Sequence, residues 1–349
     1  MNYIISFNLK KNTAHIECPT EDKSKKKFEY LYEKNLEATG SFDKIFESAI
    51  ERYEQIHGTF PPASSFSVVL PGRLFTNDLV SLPNFGRLTL GRSNANALKT
   101  EIEKMYSNYD ELETTSTLLK SNKKNEHYYI SACKKATLDC IRAAAMRHGV
   151  EDVIVIPQPV AIASAVYESV PSLLNCSQLV VDVRESETEL VLLSDKIMIG
   201  SEIVPIGTAI INAKDKLDER KALCQSTAEM IVLNSIANSN YERKNGRSSE
   251  FRSNDKDSSK HSMPIKNFEV LEKYIYMFIA ASQADKLLSN IKTVYINISD
   301  GCVSLVDSLN KRENRVYTYK LIKADEKSGL NLVYAGVNAR RKYPLMKCF

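Results

Sequence analysis

Ile156-Pro157-Gln158-Pro159-Val160-Ala161-Ile162-Ala163-Ser164-Ala165 is the stretch on which the reading of this chain turns. It follows a compact apolar run, residues 153–156, that reads as a strand. The two prolines close that strand and open a helix over 160–167, because proline suits turns and a first helical turn but not a helix interior. The chain then returns to strands, with short apolar segments at 179–183, 189–193 and 196–199 in meander order. The turn between the first two of these reads Val181-Asp182-Val183-Arg184-Glu185-Ser186-Glu187-Thr188-Glu189-Leu190.

Upstream, residues 1–7 and 13–17 read as strands around the polar turn 8–12. Phe42, Ile45, Phe46, Ala49, Ile50 and Tyr53 recur at helical spacing behind Ser41, a plausible cap. Residues 66–70 form a strand closed by Pro71-Gly72, and 66–150 has the pattern of a small α/β unit. That unit comprises a helix at 98–106, a strand at 128–132, and a helix at 136–148 ended by Gly149, well placed as a left-handed cap. Downstream, helices are expected at 222–236 and 268–288. Between them 238–262 holds no aliphatic residue and is expected to be a disordered loop, since it cannot bury enough apolar surface to offset ordering. Apolar segments at 294–298, 303–309 and 316–322 follow, with a last helix or turn at 328–340. Strands alternating with helices in two halves mean an α/β architecture.

The 349 residues suffice for about two domains. Apolar residues make up 43% and charged residues 26%, ordinary for a globular protein. With 47 basic against 43 acidic side chains the net charge is +4, too weak to imply a nucleic-acid partner. No apolar stretch approaches the ~18–20 residues of a membrane span, and residues 1–6 lack the pattern of a signal peptide. Seven scattered cysteines without CxxC suit reduced thiols. A cytoplasmic protein with no transmembrane segment is expected. Cys133 and Cys140 read as buried packing residues. The five histidines (His15, His57, His127, His148, His261) show no metal-ligand spacing, and no P-loop, GxSxG or HExxH occurs.

The proline-then-alanine helix at 156–165 resembles the segment joining the two lobes of actin-like ATPases. Residues 181–190 are similar to the second phosphate hairpin of that superfamily, usually Asp-hydrophobic-Gly-Gly-Gly-Thr-Thr-Asp-Leu. Ile203-Val204-Pro205-Ile206-Gly207-Thr208 resembles the strand and glycine turn that follow, and Ser299-Asp300-Gly301 stands where the adenosine-binding glycines would be. Val68-Val69-Leu70-Pro71-Gly72, Phe75 and Leu82-Pro83 look like the subdomain peculiar to the FtsA/PilM branch, with PilM-type pilus proteins nearest. The resemblance implies an actin-like (ribonuclease H-like) duplicated two-lobe α/β fold with an FtsA/PilM-type inserted subdomain. Its expected parts are a first lobe core at 1–65 plus 150–176 and an insert at 66–149 standing off that lobe. A second lobe core would span 177–213 plus 290–349, and a helical subdomain 214–289.

Phosphate binding in this fold needs glycine-rich turns that let backbone amides approach the ligand, and hydrolysis needs carboxylates to organise Mg²⁺. Here Ser6-Phe7-Asn8 replaces the first Asp-x-Gly, and Arg184, Glu185 and Ser186 replace every glycine of the second hairpin. The residual nucleotide-site positions are Asn8, Asp182, Thr188, Glu189, Gly207 and Gly301. By resemblance Asp182 would hold a Mg²⁺-bound water and Thr188 would touch phosphate; alternatively both are ordinary hairpin residues. Glu185 and Glu187 would bring negative charge where phosphate sits. The expectation is a degenerate ATPase with no catalytic residue and no resident cofactor, ATP and Mg²⁺ being the alternative should the site still bind. By resemblance it is a PilM-type scaffold at the inner face of the cell membrane. It would hold the cytoplasmic peptide of a single-span membrane protein in a groove between the first lobe and the insert, with homo-oligomerisation left open. The rival reading is an FtsA-like or Hsp70-like ATP-binding protein.

Overall fold

The computed structural model describes residues 2–8, 13–19, 28–35, 51, 54–55, 58–59, 65–84, 92–150, 152–169, 177–184, 187–194, 197–213, 263–284, 291–298, 302–313, 315–322 and 348–349. The helices expected at 222–236 and 328–340, the loop 238–262 and most of the helix at 41–53 lie outside these residues.

Strands β1 (Asn2–Asn8), β2 (Thr13–Pro19), β3 (Phe28–Asn35), β4 (Ser65–Leu70) and β8 (Asp152–Pro157) form one sheet in the order β3-β2-β1-β4-β8. The first three are antiparallel, and β4 and β8 add in parallel. A second sheet holds β9 (Gln178–Val183), β10 (Thr188–Ser194), β11 (Ile197–Val204), β12 (Thr293–Asn297) and β13 (Thr318–Leu321), ordered β11-β10-β9-β12-β13. The same pattern recurs: three antiparallel strands, then two in parallel. The fold is therefore duplicated, and hairpin β9–β10 of the second sheet corresponds to β1–β2 of the first.

Between β4 and β8 the chain makes a three-stranded antiparallel sheet, β5 (Phe75–Pro83), β6 (Leu112–Ser121) and β7 (Asn125–Lys134), ordered β5-β7-β6. Helix α1 (Arg92–Met105) packs Leu98 and Ile102 onto Val80, Leu82, Ile130 and Ala132 of that sheet. Helix α2 (Lys135–Arg147) leads back to β8. It ends as expected at Gly149, which has φ +75° and puts the Val150 amide on the Ala145 carbonyl. The insert's start differs from the expected residue 66. Residues 66–70 are β4, flanked by β1 and β8, so the chain leaves the first sheet only after Leu70. Cys133 is buried, but Cys140, expected to be, is exposed on α2.

Helix α3 (Gln158–Ser169) connects the lobes, and residues 160–167 are wholly shielded from solvent. A helix apolar all round must be covered all round. Val69 and Ile156 of the first sheet cover it on one side, Val180, Val191, Leu193 and Met198 of the second on the other, and Tyr129 of the insert joins them. The buried Ser164 hydroxyl donates back to the Val160 carbonyl at 2.9 Å. The two lobes and the insert thus share one apolar core. Rather than only standing off the first lobe, the insert also touches the second. Asn77 Nδ2 donates to Ser201 Oγ at 3.2 Å, and the Tyr129 hydroxyl lies 3.3 Å from the same oxygen.

In the second lobe, α4 (Thr208–Ile211), α5 (Met263–Ala284) and α6 (Val303–Asn310) follow. Phe268, Leu271 and Ile275 of α5 and Val306 and Leu309 of α6 pack on the face of the sheet opposite α3. Cys348–Phe349, counted with the second lobe in the sequence reading, instead meet the first: Phe349 pairs through its backbone with Val155 of β8.

Candidate functional site

The C-terminal end of β9 carries the site. Strand alternation and pairing set Asp182 opposite Glu189 on β10 and beside Asn297 on β12. Asp182, Glu187, Thr188 and Glu189 are each no more than 3% exposed. Burial of this many acidic groups requires partners for them, and the partners come from both lobes.

Arg184 N–H donates to the Glu187 carbonyl at 2.9 Å and so closes the hairpin. Its guanidinium folds back on β9: Nε and Nη2 each donate to Asp182 Oδ2 at 2.9 Å, and Nη2 lies 3.9 Å from Glu189 Oε2. The other Asp182 oxygen, Oδ1, accepts from Asn297 Nδ2 at 2.6 Å. Both carboxylate oxygens of Asp182 are therefore taken by protein donors. Burial alone would disfavour the Arg184 charge, but Asp182, Glu189 and Glu187 hold its pKa above the ordinary guanidinium value.

Thr188 Oγ1 donates to the Ile206 carbonyl at 2.5 Å, tying β10 to the turn after β11 rather than facing a ligand. In that turn Gly207 caps α4 with extended backbone, and the Thr208 amide donates to the Arg184 carbonyl at 2.7 Å. Asn8 ends β1 opposite Thr13, at the corresponding hairpin of the first sheet. Gly301 and Glu185 lie outside the described residues.

The first lobe reaches this cluster through two elements. After β4 the chain turns at Gly72-Arg73, and Arg73 Nε pairs with Glu187 Oε2, with only 11% and 4% of the two side chains exposed. Glu187 thus balances an arginine instead of facing an open cleft. Gln158, the first residue of α3, donates Nε2 to Glu189 Oε2 at 2.7 Å. Glu189 Oε1 has no hydrogen-bond partner among the described residues and lies against Gly72. A Cβ on that glycine would collide with it and sit 3.0 Å from Ile203 Cδ1, so any side chain there requires Glu189 to move. Burial pushes the Glu189 pKa up to about 8. Arg184 opposes this shift, Glu187 and Asp182 add to it, and the Gln158 hydrogen bond opposes it. Near neutral pH a protonated Glu189 leaves two arginines facing two carboxylates.

The structure brings Asp182, Thr188 and Glu189 together, with Gly207 beside them. Arg73, Gln158 and Asn297 were not singled out as site residues in the sequence; their partners lie 114, 31 and 115 positions away. Local pattern carries no signal for such contacts, although a glycine–arginine pair directly after a strand end was visible. Among the described residues no group of three or more His, Cys, Asp or Glu could hold a metal ion, and no helix is long and apolar enough to cross a membrane.

No family model matches the chain, and no curated protein matches it significantly. Among solved structures it is similar to the PilM–PilN type IV pilus biogenesis complex, with 11% identity over 99% of this chain and 95% of that chain, at a TM-score of 0.57. It also aligns with the cytoplasmic domain of EpsL, an inner membrane component of the type II secretion system of Vibrio cholerae. That match has 13% identity, covers 58% of this chain and 71% of that one, and has a TM-score of 0.38. A third is a Bacteroides thetaiotaomicron protein with actin-like ATPase fold and unknown function, 9% identical over 96% and 94% of the two chains, TM-score 0.44. The fold is the two-lobed actin-like one, in the form seen in the first of these structures.

Proposed function

We propose that this chain, an actin-like fold of the PilM form, is a non-enzymatic scaffold. It binds the cytoplasmic peptide of a membrane protein in pilus or related secretion assembly, at the inner face of the membrane. The observation that carries the non-enzymatic half is the Arg184–Asp182–Asn297 cluster. Where the resemblance puts phosphate-binding glycines and a Mg²⁺-organising carboxylate, an arginine side chain folds back onto Asp182 and both Asp182 oxygens are engaged. These residues do not fit a Mg²⁺-bound phosphate: both Asp182 oxygens are held by protein donors, and freeing Asp182 would strand a guanidinium in a mostly buried place. The binding half is supported by a fold that spans 95% of one chain in a solved PilM–PilN complex.

In this reading the shared apolar core and the ties from Arg73, Gln158 and Asn77 hold the lobes and insert in one arrangement, a fixed surface for a partner. The reading is tested with labelled synthetic peptides covering the cytoplasmic N-terminal segments of single-span membrane proteins encoded beside this chain. Fluorescence anisotropy should show micromolar binding of one of them, lost when the peptide's residue order is scrambled. No binding to any of them overturns the scaffold reading.

A further inference from the structure

Helix α5 is apolar on two opposite faces. Phe268, Leu271, Ile275 and Ile279 turn inward onto the second sheet. Val270, Tyr274, Met277 and Ala281 recur at i, i+4, i+7 and i+11 and form the opposite stripe, which is exposed. Over residues 268–282 the helix presents to solvent only these four, Tyr276, Ala280 and Lys273. Val270, Tyr274, Tyr276 and Met277 keep 40–56% of their surface in water. Val316, 68% exposed, lies in the segment between α6 and β13, which leans on the flank of α5. There Arg312 donates to Glu269 at 3.2 Å and to Glu272 at 2.5 Å, and the Tyr319 hydroxyl donates to Glu272 at 2.6 Å. Five of the eight large apolar side chains exposed among the described residues therefore lie in one region. Single exposed apolar residues are ordinary, whereas a patch of them marks a contact surface.

The charges around the patch define what it meets. Both acidic residues of α5, Glu269 and Glu272, are turned aside to Arg312. The exposed face of the helix carries a single charge, the cation of Lys273, and the adjoining segment adds Lys311 and Arg315 against Glu313. A second copy packed face to face and antiparallel would bring Lys273, in the middle of the stripe, against its own counterpart. An exposed helix face is a ridge and not a cleft, so it fits a surface that yields around tyrosine and methionine side chains. We propose that this face of α5 is a docking surface for an anionic lipid bilayer. Val270, Tyr274 and Met277 enter the boundary between headgroups and acyl chains, while Lys273, Lys311 and Arg315 meet lipid phosphates. The helix lies along the bilayer surface and does not cross it. This contact goes beyond the peptide-binding reading and does not rest on it, since lipid alone supplies the partner.

Flotation of the full chain with protein-free vesicles tests the proposal. The chain should float with vesicles of equal parts phosphatidylcholine and phosphatidylglycerol and stay behind with phosphatidylcholine alone. Lys273→Glu should lower the partition coefficient by about fivefold or more. Val270→Ser combined with Met277→Ser should lower it by about tenfold or more. These side chains lie outside the core, so circular dichroism should not change. Absence of flotation with the anionic vesicles overturns the proposal, as does flotation to the same extent with phosphatidylcholine alone or by parent and variants alike. A parent chain that sediments as a dimer without lipid, and as a monomer with the double change, gives the face to a second copy and also overturns it. Should the double variant lose its fold, Tyr274→Ser replaces it, with a loss of about threefold or more expected. Failure here leaves the peptide anisotropy result standing, and the reverse holds equally.

Discussion

Asp182→Ala should lower the stability of the folded chain by about 3 kcal/mol, a drop in Tm of roughly 4 °C. Removing one partner of a buried ion pair typically costs ~3–5 kcal/mol, because the other charge is left without compensation. Here that charge is Arg184, whose two contacts at 2.9 Å both end on Asp182 Oδ2. The side chain of Arg184 keeps 20% of its surface in solvent, which puts the loss at the low end of that range. Asn297 loses its acceptor at the same time. Asp182→Asn keeps one acceptor and the volume, and should cost less than half as much. A carboxylate kept for a metal ion behaves in the opposite way, since its removal relieves repulsion and leaves stability unchanged or improved. Thermal melts of the three chains without added ligand separate these outcomes; a Tm of Asp182→Ala within 1 °C of the parent contradicts the structural role.

Glu189 makes the chain lose stability as pH rises. Its pKa stands near 8 in the folded chain against 4.5 for an ordinary glutamate, so between those values the folded state keeps a proton that the unfolded state has released. Stability then falls with increasing pH across the whole interval, by up to about 1.4 kcal/mol per pH unit, and this slope vanishes below about 4.5 and above about 8. Burial is the main cause. The groups facing Glu189 are Arg184 and Glu187 of the hairpin, Asp182 of β9 and Gln158 of α3, and Gly72 closes the remaining side. Glu189→Gln mimics the protonated form and cannot ionise. Urea denaturation at pH 5 and pH 8.5 should give near-equal stabilities for parent and variant at the lower pH. At the higher pH the variant should be the more stable by a few kcal/mol. Parallel pH profiles for the two chains would place the ionised carboxylate comfortably in the fold and refute the buried, protonated state.

The connection between the lobes was plainly written in the sequence. Prolines at 157 and 159 followed by eight apolar or small residues leave little choice but a strand end and a buried helix. The β9–β10 and β1–β2 hairpins were equally plain, since short apolar runs flank polar turns. β5 and β6 were not. Their sequences, Phe-Thr-Asn-Asp-Leu-Val-Ser-Leu-Pro and Leu-Glu-Thr-Thr-Ser-Thr-Leu-Leu-Lys-Ser, alternate weakly because most of their residues are only half-buried. The run of Thr114, Thr115 and Thr117 was the available strand signal. In the site, substitution of the glycines was legible, but its consequence was not. Glu187 was expected as a negative charge facing the cleft, whereas Arg73, across the lobe boundary, neutralises it. That pair is buried, whereas an exposed ion pair contributes only ~0–1 kcal/mol.

The central claim is that the position a nucleotide would take is filled by the chain's own Arg184 and Asp182. Isothermal titration calorimetry of the full chain with ATP and Mg²⁺, and again with ADP and Mg²⁺, tests it directly. No binding heat is expected with either for the parent chain up to millimolar nucleotide. A dissociation constant in the micromolar range for the parent chain would contradict the account and return Asp182 and Thr188 to the role of nucleotide-binding residues.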